Sequence, residues 1–174
     1  MGIEAKVTKA RLMREGGNVQ RCHVVPHYDQ YSVGKHTFDM LVLLETLHPK
    51  PTKALFRAVL MHDLGERYTG DVPGMVARID PDFKQAFRNA GALVDEVCGY
   101  EVELSDAERR WVKALDKIEL WLWCHDQLNM GNDHVGAMVD ELELWFSENW
   151  KSLPAACRRF YKRYEWKRCE EVPE

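Results

Sequence analysis

The chain has 174 residues, of which 45% are hydrophobic and 30% are charged, an ordinary composition for a folded soluble domain. A chain of this length fits one domain that buries roughly 70% of the surface exposed by its unfolded form. The formal net charge of −4 gives no electrostatic reason to expect nucleic acid as a partner. No apolar run approaches the roughly 18 residues of a membrane span. We therefore expect a cytoplasmic protein that contacts neither nucleic acid nor membrane.

The five cysteines are an odd number, lie far apart and include no C-x-x-C pair. This pattern favours reduced thiols over a disulfide framework. The sequence also contains no internal repeat, low-complexity tract or linker, so it predicts one domain over residues 1–174.

The first strongly periodic segment, 31–48, predicts an amphipathic helix. Ser32 is suited to be its N-cap. Its apolar residues recur at the helical interval and are Met40, Leu43, Leu44 and Leu47. Because His36 lies four residues before Met40, we expect its imidazole on the core-facing side.

A second helix is predicted to begin after Thr52, which can cap it. One face of this helix carries Leu55, Ala58, Val59 and His62. Glu66 lies one turn beyond His62, so a helix that continues this far directs both side chains the same way.

Four more segments complete an all-α prediction of about six helices. Asp80 and Pro81 have the residue types of an N-cap and a first helical position. The helix after them carries Phe83, Phe87, Ala90, Val94 and Val97 on one side. Ser105 and Glu108 form a capping-box pattern ahead of a buried stripe of Trp111, Leu115, Ile118 and Leu122. The last two runs contain Val135, Met138, Val139, Leu142, Trp145 and Phe146, and then Phe160, Tyr161 and Tyr164.

His62 and Asp63 are neighbours at the end of an apolar helical run. Adjacent residues on a helix point about 100° apart, so one metal ion can take both side chains only if other segments supply further ligands. His36 on the preceding helix and Asp116 beside the later apolar stripe are the natural candidates. Two imidazoles and two carboxylates suit Zn, Mn, Fe, Co or Ni better than Ca or a thiolate-bound metal.

Each of these residues also has an ordinary structural interpretation. A histidine on an apolar helix face, such as His36, is commonly a hydrogen-bonded core residue. Asp116 is more informative, because an unpaired carboxylate near an apolar stripe is costly unless it is neutralised, paired or bound to a cation. Lys113 and Lys117 are its alternative partners.

Glu66 and Asp71 follow the His62-Asp63 pair, each directly after a glycine. Neither is needed as a metal ligand. A cation at the site would polarise a phosphoryl oxygen and lower the pKa of water, and carboxylates just outside it are suited to orient that water and protonate the leaving oxygen. The hypothesis from the residues is therefore hydrolysis rather than metal storage.

Six residues thus occur in a set order: His36, His62, Asp63, Glu66, Asp71 and Asp116. Together with Arg21 and the segments 33–37, 61–66, 69–73 and 114–117, they closely resemble the HD-domain phosphohydrolase superfamily. Within it, the chain looks like the branch of 5'-deoxynucleotidases and short phage-type dATP triphosphohydrolases. The run from 62 to 73 is the most specific part of the similarity.

The resemblance implies an all-α HD-domain bundle whose metal is held by His36, His62, Asp63 and Asp116. It gives Glu66 and Asp71 the catalytic roles. It also implies Zn, Co or Mn as the resident metal, with Mg as a further candidate that accompanies the substrate phosphates.

Substrate contacts follow from the same resemblance. Arg21 lies fifteen residues ahead of His36, at the spacing of an arginine that contacts substrate, and a guanidinium suits a phosphate. Cys22 stands where the branch often has a tryptophan, so it is expected in the pocket wall, with His23 beside it. Arg78 lies near the position of a phosphate-binding basic residue, in imperfect register. Lys35 replaces a usual glutamate, which changes local charge and leaves the metal set intact.

The leading expectation is a triphosphohydrolase that prefers dATP and releases deoxyadenosine and triphosphate. A 5'-deoxynucleotidase that hydrolyses deoxynucleoside monophosphates is the alternative within the branch. A non-catalytic, nucleotide-binding oligomer is the alternative of another class, and intact Glu66 and Asp71 count against it. A phage-encoded protein would act in the host cytoplasm.

The metal-site core is expected at about 31–124 and the C-terminal helices at 134–168. The resemblance implies a symmetric homo-oligomer, either dimer or hexamer. Its surface is expected in the aromatic-rich last third, which contains Trp145, Phe146, Trp150, Phe160 and Tyr161.

Overall fold

A computed structural model describes residues 2–74, 79–100 and 102–164. Within these residues the protein is an all-α helical bundle, as the sequence predicts, and its only extended pairing is an isolated bridge between Gln20 and Ser32. The helices are α1 (Ile3–Gly16), α2 (Val33–Leu47), α3 (Lys53–Met61), α4 (Glu66–Thr69), α5 (Pro81–Cys98), α6 (Asp106–Asn129), α7 (Gly136–Asn149) and α8 (Ala155–Tyr164), with a 3₁₀ turn at Asp133–Val135. The described part thus has two helices more than predicted, α1 and the single turn α4.

Predicted caps begin four of the helices. The Ser32 side chain accepts a hydrogen bond from the Lys35 amide, and that of Thr52 accepts one from Leu55. Asp80 caps α5 ahead of Pro81. Ser105 forms the predicted capping box with Glu108 at the start of α6. These bonds satisfy backbone amides that have no partner within the helix.

Helix α6 is the centre of the bundle and packs against α2, α3, α7 and α8. Its buried residues surround the helix instead of forming the single predicted stripe: Ala114, Leu115, Ile118, Glu119, Trp121, Trp123, Cys124 and Gln127. The buried faces of α2 and α3 pack with it in one core, as predicted. The buried polar residues on this part of α6, Glu119 and Gln127, must find partners inside the protein.

The loop at residues 17–32 folds back on itself and is fastened to α6. The Arg21 amide donates to the Tyr31 carbonyl at 2.7 Å. The buried Gln127 side chain accepts from the Tyr28 amide at 2.9 Å and donates to the Tyr28 carbonyl at 3.1 Å. Cys22 has φ of 54°, a left-handed conformation that non-glycine residues seldom adopt. These contacts hold the chain from Arg21 to Tyr31.

The prediction that the second helix continues through Glu66 is wrong. Helix α3 ends at Met61, and His62 is its C-terminal cap. The next amides bond to carbonyls three residues back: Leu64 to Met61 at 3.2 Å and Glu66 to Asp63 at 3.0 Å. Glycine is a poor helix former, and Gly65 also lies against Val94 of α5, whose Cγ1 would be 3.3 Å from an added Cβ.

On α5, whose apolar residues the sequence places on one side, Ala90 is exposed and Phe83 is 40% exposed. The predicted oligomer surface is wrong at two residues. In the C-terminal third, Phe146 and Tyr161 are buried inside the protein. They therefore cannot supply the oligomer surface, although Trp145, Trp150 and Phe160 remain half-buried.

Cys22, Cys98, Cys124 and Cys157 are free thiols, which agrees with the predicted reduced state. Cys169 lies outside the described residues. Among the helices of the described ranges, none has both the length and the apolar character that a bilayer crossing requires.

Candidate metal centre

Side chains from two helices and from the turn after α3 converge on a point beside α6. His36 comes from α2, His62 and Asp63 from the end of α3, and Asp116 from α6. The Nε2 atoms of the two histidines are 3.1 Å apart. Asp63 Oδ2 lies 3.2 Å from His62 Nε2 and 3.7 Å from His36 Nε2. Asp116 Oδ1 lies 3.6 Å from His36 Nε2.

Hydrogen bonds on the far side of each ring fix which nitrogen faces this point. The Nδ1 of His62 is 2.7 Å from the Val59 carbonyl oxygen, and the Nδ1 of His36 meets the Glu119 carboxylate. A carbonyl and a carboxylate accept hydrogen bonds, so both Nδ1 atoms carry hydrogen. Each neutral ring then presents the lone pair of Nε2 toward its partner, and two lone pairs so close repel unless a proton or a cation lies between them.

Ligand atoms of His36, His62 and Asp116 all lie within 4.8 Å of one another, and this group could hold a metal ion. The fourth predicted ligand, Asp63, faces the same two Nε2 atoms and is also ion-paired with Arg21. Nitrogen and oxygen donors of this kind fit a divalent transition metal. The donor set therefore fits the cofactor that the sequence predicts, without naming the element.

The charges at this point strongly affect one another. Burial opposes protonation of His62, but the charge and hydrogen bond of Asp63, the charge of Asp116 and the bond to Val59 together outweigh it and raise the pKa of His62 to about 9. Burial likewise opposes ionisation of Asp63, yet His62 and Arg21 hold the pKa of that carboxyl well below its usual range. In the metal-free protein a proton on His62 is therefore the positive charge between the ligands.

Arg21 is buried beside these ligands. Its guanidinium pairs with Asp63 and lies 3.9 Å from Asp116 Oδ1. Burial disfavours this charge, but Asp63, Asp116 and the other acidic groups nearby together outweigh burial and raise the pKa of Arg21. The Nε atom of Arg21 is buried and has no hydrogen-bond partner among the residues that the structure describes. The predicted substrate-binding arginine is thus at the site with donor capacity to spare.

Asp116 also has the alternative partners that the sequence leaves open. Its Oδ2 lies 3.0 Å from Lys113 Nζ and 3.7 Å from Lys117 Nζ. The other oxygen, Oδ1, faces His36 and Arg21. Burial opposes ionisation, and the interactions with His36 and the lysines outweigh it and lower the pKa of Asp116. The two interpretations are compatible, because each uses a different oxygen.

The charges of Asp63, Arg21 and Asp71 all affect the pKa of Glu66. Burial is the main cause that raises its pKa to about 8. Its Oε2 atom is buried and finds no hydrogen-bond partner within residues 2–74, 79–100 and 102–164. A buried carboxyl oxygen without a partner is rare in folded proteins, and a catalytic role or a bound ion is among its explanations.

Three more of the predicted residues, Asp71, Cys22 and His23, meet at the Arg21 loop. Asp71 accepts a hydrogen bond from the Cys22 amide at 2.8 Å, and its Oδ2 is 3.8 Å from His23 Nδ1. The Cys22 side chain packs against the core, and burial raises the pKa of its thiol to about 12. The predicted phosphate contact Arg78 lies outside the described residues. Asp71 therefore joins the turn after α4 to the loop that carries Arg21.

Sequence reasoning missed two residues behind the histidines, Glu119 and Tyr31. Glu119 is 3% exposed, and its Oε2 accepts a 2.5 Å hydrogen bond from the Tyr31 hydroxyl in addition to the bond from His36. One signal was available: Glu119 lies four residues after Leu115, at an interval that shares a helix face. A charged residue on a buried face needs a partner.

Comparisons with known proteins bear on the fold alone. No protein-family model matches the sequence, and no curated protein matches it. Among solved structures, the chain is similar to the crystal structure of PH0347 protein from Pyrococcus horikoshii OT3, with a TM-score of 0.59 and 19% sequence identity. That similarity covers 91% of this chain and 96% of the other. It supports the arrangement of helices and carries no information about activity.

Proposed function

We propose that the protein is a metal-dependent phosphohydrolase that acts on 2'-deoxynucleotides. Its leading substrate is a deoxynucleoside triphosphate, with dATP preferred and triphosphate released. The resident metal is Zn, Co or Mn, and Mg accompanies the substrate phosphates. Part of this proposal, the substrate class, rests on the resemblance of the motif residues to the HD-domain superfamily.

One observation carries the metal-dependent part. Both histidines have their Nδ1 atoms committed to acceptors, so both Nε2 atoms point at one position that Asp63 and Asp116 also face. A core histidine needs no such convergence, because one hydrogen bond on each nitrogen would satisfy it. A divalent cation accepts all four donors at once.

The residues next to the ligands support hydrolysis of a phosphate ester. When bound, a divalent cation supplies Lewis acidity toward a phosphoryl oxygen and toward water. Arg21 presents a buried, permanently charged guanidinium for phosphate oxygens. Glu66 has a pKa of about 8, near the neutral range in which a carboxylate both accepts and returns a proton efficiently. We propose that Glu66 accepts a proton from the attacking water and that Asp71 donates a proton to the leaving oxygen.

Product analysis tests the proposal. The purified protein is incubated with each deoxynucleoside triphosphate and monophosphate in the presence of Zn, Co or Mn, and the products are separated by ion-exchange chromatography. Release of deoxynucleoside with triphosphate supports the leading substrate. Release of orthophosphate from monophosphates alone would identify a 5'-deoxynucleotidase instead. Absence of turnover with every metal, or digestion of single-stranded DNA, contradicts the proposal.

The matched variant for this assay is Glu66→Gln, which keeps the size of the side chain and removes its basicity. We expect its turnover to fall by a factor of about 10² to 10⁴, the usual contribution of a general base, while metal binding is retained. Arg67→Gln is the control, since Arg67 pairs with Glu15 rather than with the metal group. Full activity in Glu66→Gln would remove Glu66 from the mechanism.

We extend the proposal to the setting of the protein: a homo-oligomer in the cytoplasm, either dimer or hexamer, without nucleic acid or membrane as a partner. Light scattering coupled to gel filtration measures the oligomer directly. A monomer at micromolar concentration would contradict it.

A further inference from the structure

A closed hydrogen-bonded group lies behind His36, on the side away from the proposed metal. The carboxylate of Glu119 receives the Nδ1–H of His36 and the hydroxyl of Tyr31 on the same oxygen, Oε2. The Tyr31 oxygen is also 3.2 Å from His36 Nδ1. His36 and Tyr31 are completely buried, and Glu119 is 3% exposed. A buried carboxylate is costly without partners, and here both partners lie at the site.

The direction of each hydrogen bond is determined. The Tyr31 hydroxyl lies 2.5 Å from a carboxylate oxygen, which can only accept, so the hydroxyl donates its hydrogen. Glu119 therefore accepts twice, and His36 Nδ1 must carry hydrogen. A neutral imidazole with hydrogen on Nδ1 can coordinate only through Nε2, which is the atom that faces His62.

The same tyrosine is joined to the loop that carries Arg21. Its backbone carbonyl accepts from the Arg21 amide at 2.7 Å, and the Arg21 guanidinium carbon lies 5.6 Å from the centre of the Tyr31 ring. The ring also stacks on Trp123 of α6, with centroids 4.3 Å apart and planes 12° from parallel. Tyr31 thus contacts both the metal-ligand helix and the arginine loop from a fixed position.

We infer that Glu119 and Tyr31 are positioning residues that fix the tautomer and orientation of His36 and thereby set the metal affinity of the site. The inference rests on the proposed metal-dependent function and adds two residues to it. Partners of this kind behind a ligating histidine commonly change metal affinity by about 10- to 100-fold when they are removed.

Three variants test separately the negative charge of Glu119, its hydrogen-bond acceptor and the hydroxyl of Tyr31. Glu119→Gln keeps the size and an oxygen acceptor but loses the negative charge. Glu119→Met keeps a similar length and loses the acceptor. Tyr31→Phe keeps the ring and the backbone bond to Arg21 while it loses the hydroxyl. Ile118→Val is the control, because Ile118 is a fully buried neighbour on α6 whose shortening lowers stability without removing a hydrogen bond of His36, Glu119 or Tyr31.

Metal affinity is measured by calorimetric titration with Mn²⁺ and, in parallel, by the visible absorption of Co²⁺, on protein shown to be folded by circular dichroism. We expect affinity to fall about tenfold in Glu119→Gln and about 100-fold in Glu119→Met. Loss of one ordinary hydrogen bond in Tyr31→Phe should lower it about fivefold. In ¹⁵N spectra of the metal-free protein, His36 should be mainly the Nδ1–H tautomer, and Glu119→Met should lose that preference.

The possible outcomes distinguish the inference from the proposed function. If the unchanged protein binds neither metal, the metal-dependent function fails. If it binds metal and the folded Glu119→Gln and Tyr31→Phe variants bind within twofold of it, with the same His36 tautomer, only the positioning inference is overturned. A loss of affinity in Ile118→Val equal to that in Glu119→Gln would also overturn it, because general destabilisation would then explain both.

Discussion

Burial disfavours the protonated ring of His62, but Asp63, Asp116 and the bond to Val59 together raise its pKa to about 9. His62 therefore has a proton at neutral pH in the metal-free protein. A metal ion needs the neutral ring. Below about pH 9 the metal must therefore displace this proton, and its apparent affinity should rise about tenfold per pH unit until that pH and then level off. At higher pH the ring is already neutral and no proton remains to be displaced.

Calorimetry at pH 7 checks this prediction. Mn²⁺ is titrated in buffers of different ionisation enthalpy, and the slope of observed heat against buffer enthalpy gives the protons released. We expect about one proton from His62. A site that releases none, with an affinity that is flat from pH 6 to 9, would show that His62 is not protonated before metal binds.

Arg21 is a second positive charge at the same ligands, since it pairs with Asp63 and approaches Asp116. A cation at the site and this guanidinium repel each other. Arg21→Gln should therefore bind metal more tightly and deoxynucleotide more weakly, so that the metal dissociation constant falls while KM rises. Titration and steady-state kinetics measure the two effects, with Arg67→Gln as the control. An unchanged or lower KM would contradict the assignment of Arg21 to substrate phosphates, and an unchanged or higher metal dissociation constant would contradict the repulsion.

The sequence predicted Arg21 and the proposed metal ligands because each is chemically distinctive at its own position. It predicted neither Glu119 nor Tyr31, because their importance comes from being opposite His36 across 83 and 5 residues of chain. A buried glutamate looks like any surface glutamate until the helix around it is known to be enclosed. The partners of a site are therefore harder to predict than its ligands.

At the scale of elements, the start of α2 is held against the end of α1. A Cβ added to Gly34 would lie 2.9 Å from the Gly17 carbonyl oxygen, and the Gly34 amide donates to that same oxygen at 2.9 Å. Gly91 in α5 has open space where a Cβ would be. Gly91→Ala should thus stabilise the protein by about 0.5–1 kcal/mol, whereas Gly34→Ala should destabilise it by a similar or larger amount as the helix is pushed away.

Urea denaturation of the two variants measures both effects. The displaced start of α2 also carries His36, so Gly34→Ala should lower metal affinity as well. Gly91→Ala should leave metal affinity unchanged. Stabilisation by Gly34→Ala would mean that the contact between Gly17 and Gly34 is loose.

The starts of four helices could be predicted from their capping residues. Ser32, Thr52, Asp80 and Ser105 mark true helix starts because capping is a local interaction within a few residues. Two features were not predicted. Helix α1 exposes apolar residues such as Ile3 and Val7, so its pattern is weak. The end of α3 at Met61 depends partly on the approach of Val94 to Gly65, a contact between distant segments.

At the scale of the whole molecule, the proposed metal joins segments that are far apart in the chain. His36, His62 and Asp116 belong to α2, the end of α3 and α6, which also form the central contacts of the core. The all-α class follows from local periodicity. The meeting of these three residues does not, because it depends on how the helices pack.

This arrangement predicts that metal stabilises the whole fold. A ligand that binds only the folded state at 100 times its dissociation constant adds about 2.7 kcal/mol of stability. For a chain of this size each kcal/mol raises Tm by roughly 2–4 °C, so saturation should raise Tm by about 5–10 °C. Mn²⁺ is the better probe, because thiolates of the unfolded chain prefer softer metals such as Zn²⁺. Scanning calorimetry measures Tm with excess Mn²⁺ and with chelator. In His62→Ala, Mn²⁺ should not raise Tm. An equal rise in that variant would show that the stabilising metal binds elsewhere and does not act by joining α2, α3 and α6.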